Sequence, residues 1–126
     1  MTAAGVIRLG EETEYFSAPV GYWSTDNYRS SWSAGLRRIL GDDIVSCLAV
    51  SMRDPKTSNF VEVWPLYRDG DVVHVQNQLI FLDQLGHEFD PLEPWNSVAP
   101  RTTADEDGEV ISEWTVSIKD IEGFLS

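Results

Sequence analysis

Asn59-Phe60-Val61-Glu62-Val63-Trp64-Pro65-Leu66-Tyr67-Arg68-Asp69-Gly70-Asp71-Val72-Val73-His74-Val75-Gln76 is the stretch that decides the fold of this chain. β-Branched and aromatic residues fill both halves, as pleated, half-buried strands require. Between them Asp69-Gly70 is a type I′ hairpin signal, because glycine accepts the positive φ that such a turn demands. Residues 60–68 and Val72–Gln76 therefore read as paired antiparallel strands. Pro65 removes one ladder donor, which favours an edge position or a bulge. Upstream, Asp54-Pro55-Lys56-Thr57-Ser58-Asn59 is a turn by composition. It joins the hairpin to residues 44–52, an almost wholly apolar run expected of a central strand covered on both faces. The three strands make a meander.

A helix from Thr25 to Leu40 precedes the meander. Tyr28, Trp32, Gly35, Leu36, Ile39 and Leu40 follow the helical period, giving one apolar face. Ser24 is placed to cap the first turn, and Trp23 to form a hydrophobic staple with Tyr28. Arg37 and Arg38 suit the negative end of the helix dipole, and Gly41 suits a left-handed cap. Beyond the meander, Leu79–Leu82 either finishes the third strand or begins a short helix. Pro91, Pro94 and Pro100 make residues 86–100 loop-like. The acidic turn Asp105-Glu106-Asp107-Gly108 leads into a last strand. There Val110, Ser112, Trp114, Val116 and Ile118 alternate with Glu109, Ile111, Glu113, Thr115 and Ser117. A helical turn over Lys119–Phe124 closes the chain. Residues 1–21 carry weak signals, with Tyr15-Phe16 an edge strand or part of an arm lying on the core. The expectation is one α+β domain over residues 1–126. It has an antiparallel sheet of about four or five strands, with the N-terminal amphipathic helix packed on one face.

Charge narrows the partners. The chain has 21 Asp and Glu against 9 Lys and Arg, a formal net charge of −12. Residues 1–82 contribute only −3; from Asp83 onward there are eleven acids and two bases, Arg101 and Lys119. Such a surface repels nucleic acid and anionic membrane and attracts basic partners. Cys47 stands alone in an apolar run, so it reads as a buried hydrophobe and not a nucleophile. Met1–Arg8 lacks the basic start and apolar stretch of a signal peptide, and no run approaches the roughly 18 apolar residues of a membrane span. A cytoplasmic protein is the expectation.

Catalytic signals are sparse. His74, between two valines in a strand, reads as structural. His87 is the better candidate, because Glu88 and Asp90 lie beside it in a loop. Those three residues are the basis of one alternative, a small metal-assisted enzyme, yet their spacing matches no established ligand pattern. Asp105, Asp107 and Glu109 lack the calcium-loop pattern and read as an exposed acidic turn. No phosphate loop or nucleophile elbow is present, so neither a metal nor a cofactor is expected. Gln76-Asn77-Gln78 reads as a polar network joining the sheet to the following loop, since buried carboxamides need partners.

Tyr22-Trp23-Ser24, Tyr28, Ser31-Trp32, Gly35-Leu36 and Leu48-Ala49-Val50-Ser51-Met52 carry a resemblance that continues downstream. Its later parts are Asn59-Phe60, Trp64, Leu66-Tyr67, Val75-Gln76-Asn77, Phe81-Leu82, Gly108 and Ile111-Ser112-Glu113-Trp114. Over roughly Tyr22 to Trp114 the chain resembles immunity proteins of bacterial contact-dependent growth inhibition. The resemblance implies a cytosolic antidote that binds a toxin's C-terminal domain, commonly a nuclease and often one acting on tRNA. It carries over no catalytic residue, and no toxin-binding position transfers to this sequence. Charge supplies the expected contacts instead, because an acidic surface steers a basic, nucleic-acid-gripping partner. They are Asp105, Glu106, Asp107, Glu109 and Glu113, with Glu88, Asp90, Glu93 and Trp95 from the Pro-rich loop as a second group. An acidic module for some other basic protein shares the same charge argument.

Overall fold

In the computed structural model, which describes residues 2–9, 12–41, 43–103, 108 and 110–125, the first element is a hairpin. Strands β1 (Thr2–Leu9) and β2 (Glu12–Pro19) pair antiparallel, from Thr2 opposite Pro19 to Leu9 opposite Glu12, in a two-stranded sheet of their own. The single edge strand or arm expected over residues 1–21 is thus a paired unit. β1 lies beside the C-terminal helix, and β2 beside the first strand of the main sheet.

Helix α1 spans Thr25–Leu40, as its sequence signals require. The Ser24 hydroxyl accepts from the Asn27 backbone amide, and the Ser24 backbone amide donates to Asn27 Oδ1, a reciprocal capping box. Trp23 packs edge-on against Tyr28 with ring centroids 5.2 Å apart, completing the staple. The C-terminus differs from expectation: Gly41 has φ −79°, not a left-handed value. The Arg68 guanidinium reaches over from the sheet and donates to the carbonyls of Ile39 (2.8 Å) and Gly41 (3.0 Å). With the last carbonyls bonded this way, the helix ends without the left-handed glycine.

The main sheet contains β3 (Val45–Ser51), β4 (Phe60–Asp69), β5 (Val72–Gln76), β6 (Gln78–Phe81) and β7 (Glu113–Ser117), all antiparallel. Its order is β3-β4-β5-β7, with β6 also on β4. Leu66 pairs with Val75 and Val63 with Gln78, so β5 and β6 keep a single register against β4. The ladder is interrupted only opposite Trp64-Pro65, where proline has no N–H to give. Pro65 therefore lies fully buried in a central strand, neither at an edge nor at a bulge; the irregularity is across from β4, between Ala49 and Ser51. Leu79–Phe81 finishes the third strand, and Leu82 opens a 3-10 turn. At the β4–β5 hairpin the two loop residues are Gly70 and Asp71. Gly70 has φ +63°, and no described non-glycine residue has positive φ. Positive φ at the first loop position alone is the II′ pattern, not the I′ pattern that Asp-Gly suggests. β7 begins only at Glu113, and Val110, expected inside it, is 86% exposed. Helix α2 (Ile118–Leu125) follows β7 directly.

β3 is buried along nearly its whole length, yet it is an edge strand and not a central one. Helix α1 runs along its free side and bonds its outward backbone. The Trp32 indole donates to the Ala49 carbonyl at 2.6 Å, and the Tyr28 hydroxyl accepts from the Met52 amide (2.9 Å) and donates to its carbonyl (3.3 Å). Ser46 Oγ donates back to the Gly35 carbonyl at 2.7 Å. Gly35 passes so close to the Cys47 carbonyl that a β-carbon there would clash with it. An unpaired edge invites pairing with foreign strands, and a helix seals this one. Two apolar clusters result. Leu36, Ile39, Leu48, Leu66, Val75 and Ile121 belong to one, between the sheet and the helices. Tyr28, Cys47, Val61, Val63, Ile80 and Phe89 belong to the other, under the Pro-rich loop.

Candidate functional site

The Pro-rich loop follows β6 and is fastened by its apolar residues. Phe89 and Pro94 are buried, and Leu85, Trp95 and Val98 pack partly buried against the second cluster. With those side chains turned inward, Asp83, Glu88, Asp90 and Glu93 are exposed. Asp90 also shapes the loop, its carboxylate accepting from the Leu92 amide at 2.9 Å and its carbonyl from the Glu93 amide at 3.1 Å. Trp95 is not a free ring: the Arg38 guanidinium sits 4.6 Å from its centroid and pairs with Asp43 at 3.3 Å. The apolar side chain presented among the loop acids is instead Leu92, which is 77% exposed. It borders a cleft of about 200 Å³ against α1, lined also by Trp23, Asn27, Ser31, Ala34 and Pro91. Sequence reasoning passed over Leu92. Its one signal was a leucine with carboxylates on both sides in a segment too rich in proline to form a regular element.

A second polar region lies where β5 and β7 adjoin, and Glu113 is its centre. Arg101 forks onto this carboxylate, Nη2 to Oε1 at 2.7 Å and Nε to Oε2 at 2.9 Å. Gln76 Nε2 donates to Oε2 at 2.7 Å and to the Thr102 carbonyl at 2.8 Å. His74 Nδ1 stands 3.5 Å from Oε1, and the Glu113 side chain is only 19% exposed. The Arg101 fork, with help from Gln76 and His74, holds the Glu113 carboxyl down to about 2. Glu113 therefore keeps its charge but spends its acceptors inside the molecule. Of the three carboxamides expected to join the sheet to the following loop, Gln76 alone reaches a loop carbonyl, that of Thr102; Asn77 Nδ2 donates to Glu62 on β4 at 2.7 Å, and Gln78 Oε1 is buried with no hydrogen-bond partner among the described residues.

Asp105, Glu106, Asp107 and Glu109 lie outside the described residues. Their flanks are fixed: the Ile111 amide donates to the Thr103 carbonyl at 3.1 Å. For the enzyme alternative, His87 Nε2 contacts Ser97 Oγ at 2.9 Å, while Glu88 and Asp90 face solvent. Among the described residues no three His, Cys, Asp or Glu side chains are grouped to hold a metal. Cys47 is wholly buried, and its thiol is pushed up to about 12 by that burial, the opposite of an activated nucleophile. No helix among the described residues is long and apolar enough to cross a membrane.

Comparison with known proteins places this geometry in context. A family model described as the CdiI N-terminal domain matches residues 18–124. A curated relative from Enterobacter cloacae subsp. cloacae, "Immunity protein CdiI", is 36% identical over 118 residues, covering 94% of this chain and 81% of that protein. A chain of the solved "CdiA-CT/CdiI toxin and immunity complex from Enterobacter cloacae" superposes with a TM-score of 0.87 at 35% identity. The match covers 98% of this chain and 84% of that one.

Proposed function

The chain belongs to the CdiI N-terminal domain family, and we propose that it is an immunity protein that binds and neutralises a cognate toxin domain by stoichiometric occlusion inside the cell. The observation that carries this reading is the 35% identity to a chain of a toxin and immunity complex, over 98% of this chain. Function here is binding, without turnover. The partner is the C-terminal domain of a toxin delivered by a neighbouring cell, a basic nuclease that grips RNA and is of the tRNA-cleaving kind.

The charge distribution supports a basic partner. Glu88, Asp90 and Glu93 stand exposed on a loop anchored by Phe89 and Pro94, so the acids meet a partner without the loop having to order first. Leu92, among them, is the apolar contact, in keeping with interfaces that surround an apolar anchor with polar residues. The sequence Asp105-Glu106-Asp107-Gly108-Glu109 adds four further carboxylates. Acidic steering of this kind raises the association rate and selects against acidic partners.

The test uses the toxin domain encoded beside the gene. Purified chain is expected to abolish its activity at about one-to-one stoichiometry, with association slowing as salt screens the charges. Glu88→Lys with Glu93→Lys should slow association further while leaving the melting curve close to wild type, because exposed loop substitutions change stability little. A chain that neither binds nor protects against that domain ends the proposal.

A further inference from the structure

Between α1 and the Pro-rich loop lies the cleft of about 200 Å³ that Leu92 borders. Trp23, Ala34, Pro91 and Leu92 give it apolar walls, and Ser30 and Ser31 add hydroxyls from the helix. Ser31 Oγ is shielded from water and has no hydrogen-bond partner among the described residues. A buried hydroxyl left this way is destabilising, and folded proteins keep few of them. In the wall of an open cleft it points to a donor supplied from outside.

Size and charge say which donor. Pockets for small-molecule ligands run to about 300–1,000 Å³, so this cleft has room for one side chain and not for a cofactor. Residues 83–100 contain no Lys or Arg, while Glu88, Asp90 and Glu93 are all exposed. Asp90 is held at the rim, its carboxylate 2.9 Å from the Leu92 amide. The helix positions that face the loop, Asn27, Ser30, Ser31 and Ala34, are uncharged. The mouth is therefore negative, the walls are apolar, and one acceptor is unused. A long side chain with an aliphatic stem and a cationic, donor-rich head answers all three. Arginine suits the cleft better than lysine, because its guanidinium is planar, weakly hydrated and able to lie against an aromatic ring. The chain already makes such a stack once, where Arg38 lies over Trp95.

We propose that this cleft receives one arginine side chain of the toxin domain, its stem against Trp23, Pro91 and Leu92 and its guanidinium donating to Ser31 Oγ. Exposed Leu92 turns aside to admit it, a rotation that leaves the core closed. The inference rests on the reading that the partner is a basic toxin domain. It adds the helix wall of the cleft to the contact surface and gives Ser31 a task in recognition.

Ser31→Ala separates a binding role from a structural one by sign. It removes a buried hydroxyl without a partner and installs a better helix former, so the free chain should melt higher than wild type. The same variant should leave the toxin domain encoded beside the gene about tenfold faster, because the guanidinium loses its acceptor in a desolvated contact. Ala34→Phe fills the cleft from an exposed helix position without altering charge. Its off-rate should rise by about tenfold or more, with the on-rate little changed. Each arginine and lysine of the toxin domain is then replaced singly by alanine. One arginine replacement should weaken binding, and Ser31→Ala added to it should change the off-rate by less than about twofold, as groups in direct contact do. Failure of the wild-type chain to bind would remove the functional reading, and this one with it. Normal wild-type binding with unchanged off-rates in Ser31→Ala and Ala34→Phe would overturn the cleft alone. So would a lowered melting point in Ser31→Ala, additive losses for every toxin arginine, or coupling to a lysine instead.

Discussion

The α1–β3 seam and the Ala99–Thr103 strap are both places where backbone polar groups outside the sheet ladder find partners, and they do so in opposite ways. At the seam, Trp32 and Tyr28 bring their polar tips to β3 while their rings join the apolar clusters, so each bond sits in a low-dielectric setting. At the strap, the covered residues are exposed and the bonds come from Gln76, Tyr67 and a fork between Arg101 and Glu113. The seam cannot loosen without opening the core. The strap can loosen and leave the core intact. Stability belongs to the first region, and the shape of a surface belongs to the second.

The largest effect should come from closing the gap at the seam. Gly35→Ala would gain about 1 kcal/mol of helix propensity, but its β-carbon would meet the Cys47 carbonyl, and backbone cannot step aside as a side chain can. Overpacking of this kind costs about 3 kcal/mol at its upper range, so a net loss of about 2 kcal/mol in urea unfolding is expected. A stabilised variant would mean that helix and strand are not so closely apposed. Next, Trp32→Phe keeps most of the apolar ring but leaves the Ala49 carbonyl without its indole donor, at a cost of about 1–2 kcal/mol. A neutral result would show that water reaches the seam.

The smallest stability effect belongs to the strap, and it should depend on pH. Glu113 is held below its ordinary carboxyl range, to about 2, so its pairing stabilises the fold fully above the unfolded value near 4.5. That contribution is lost as pH falls from there through about 2. The difference in melting temperature between wild type and Arg101→Ala should therefore be constant from pH 7 down to about 5 and shrink below it. A difference that grows on acidification would assign the effect to another group.

Local elements were legible because their causes are local. Ser24, Trp23 and Tyr28 lie within five residues of one another, and capping, staple and period together delimit α1. The hairpin after β4 is equally local, although the turn type was decided by which two residues the register leaves unpaired. The N-terminal hairpin was not legible, because Thr2–Leu9 mixes glycine, alanine and charge without a clean alternation. β3 was misplaced for a deeper reason. An apolar run records burial on both faces but not whether its side meets another strand or a helix, and here it meets α1.

The candidate site divides in the same way. Composition alone placed an acidic excess from Asp83 onward, the basis for proposing a basic partner, because charge is additive along a chain and needs no fold to be counted. Composition could not say which acids are free. Glu88 and Glu93 stand in solvent while Glu113 is engaged by Arg101, Gln76 and His74, groups twelve to thirty-nine residues away that only the sheet brings together. Trp95 turns inward and Leu92 outward for the same reason, since burial is settled by what packs across the loop and not by the residue's own hydrophobicity.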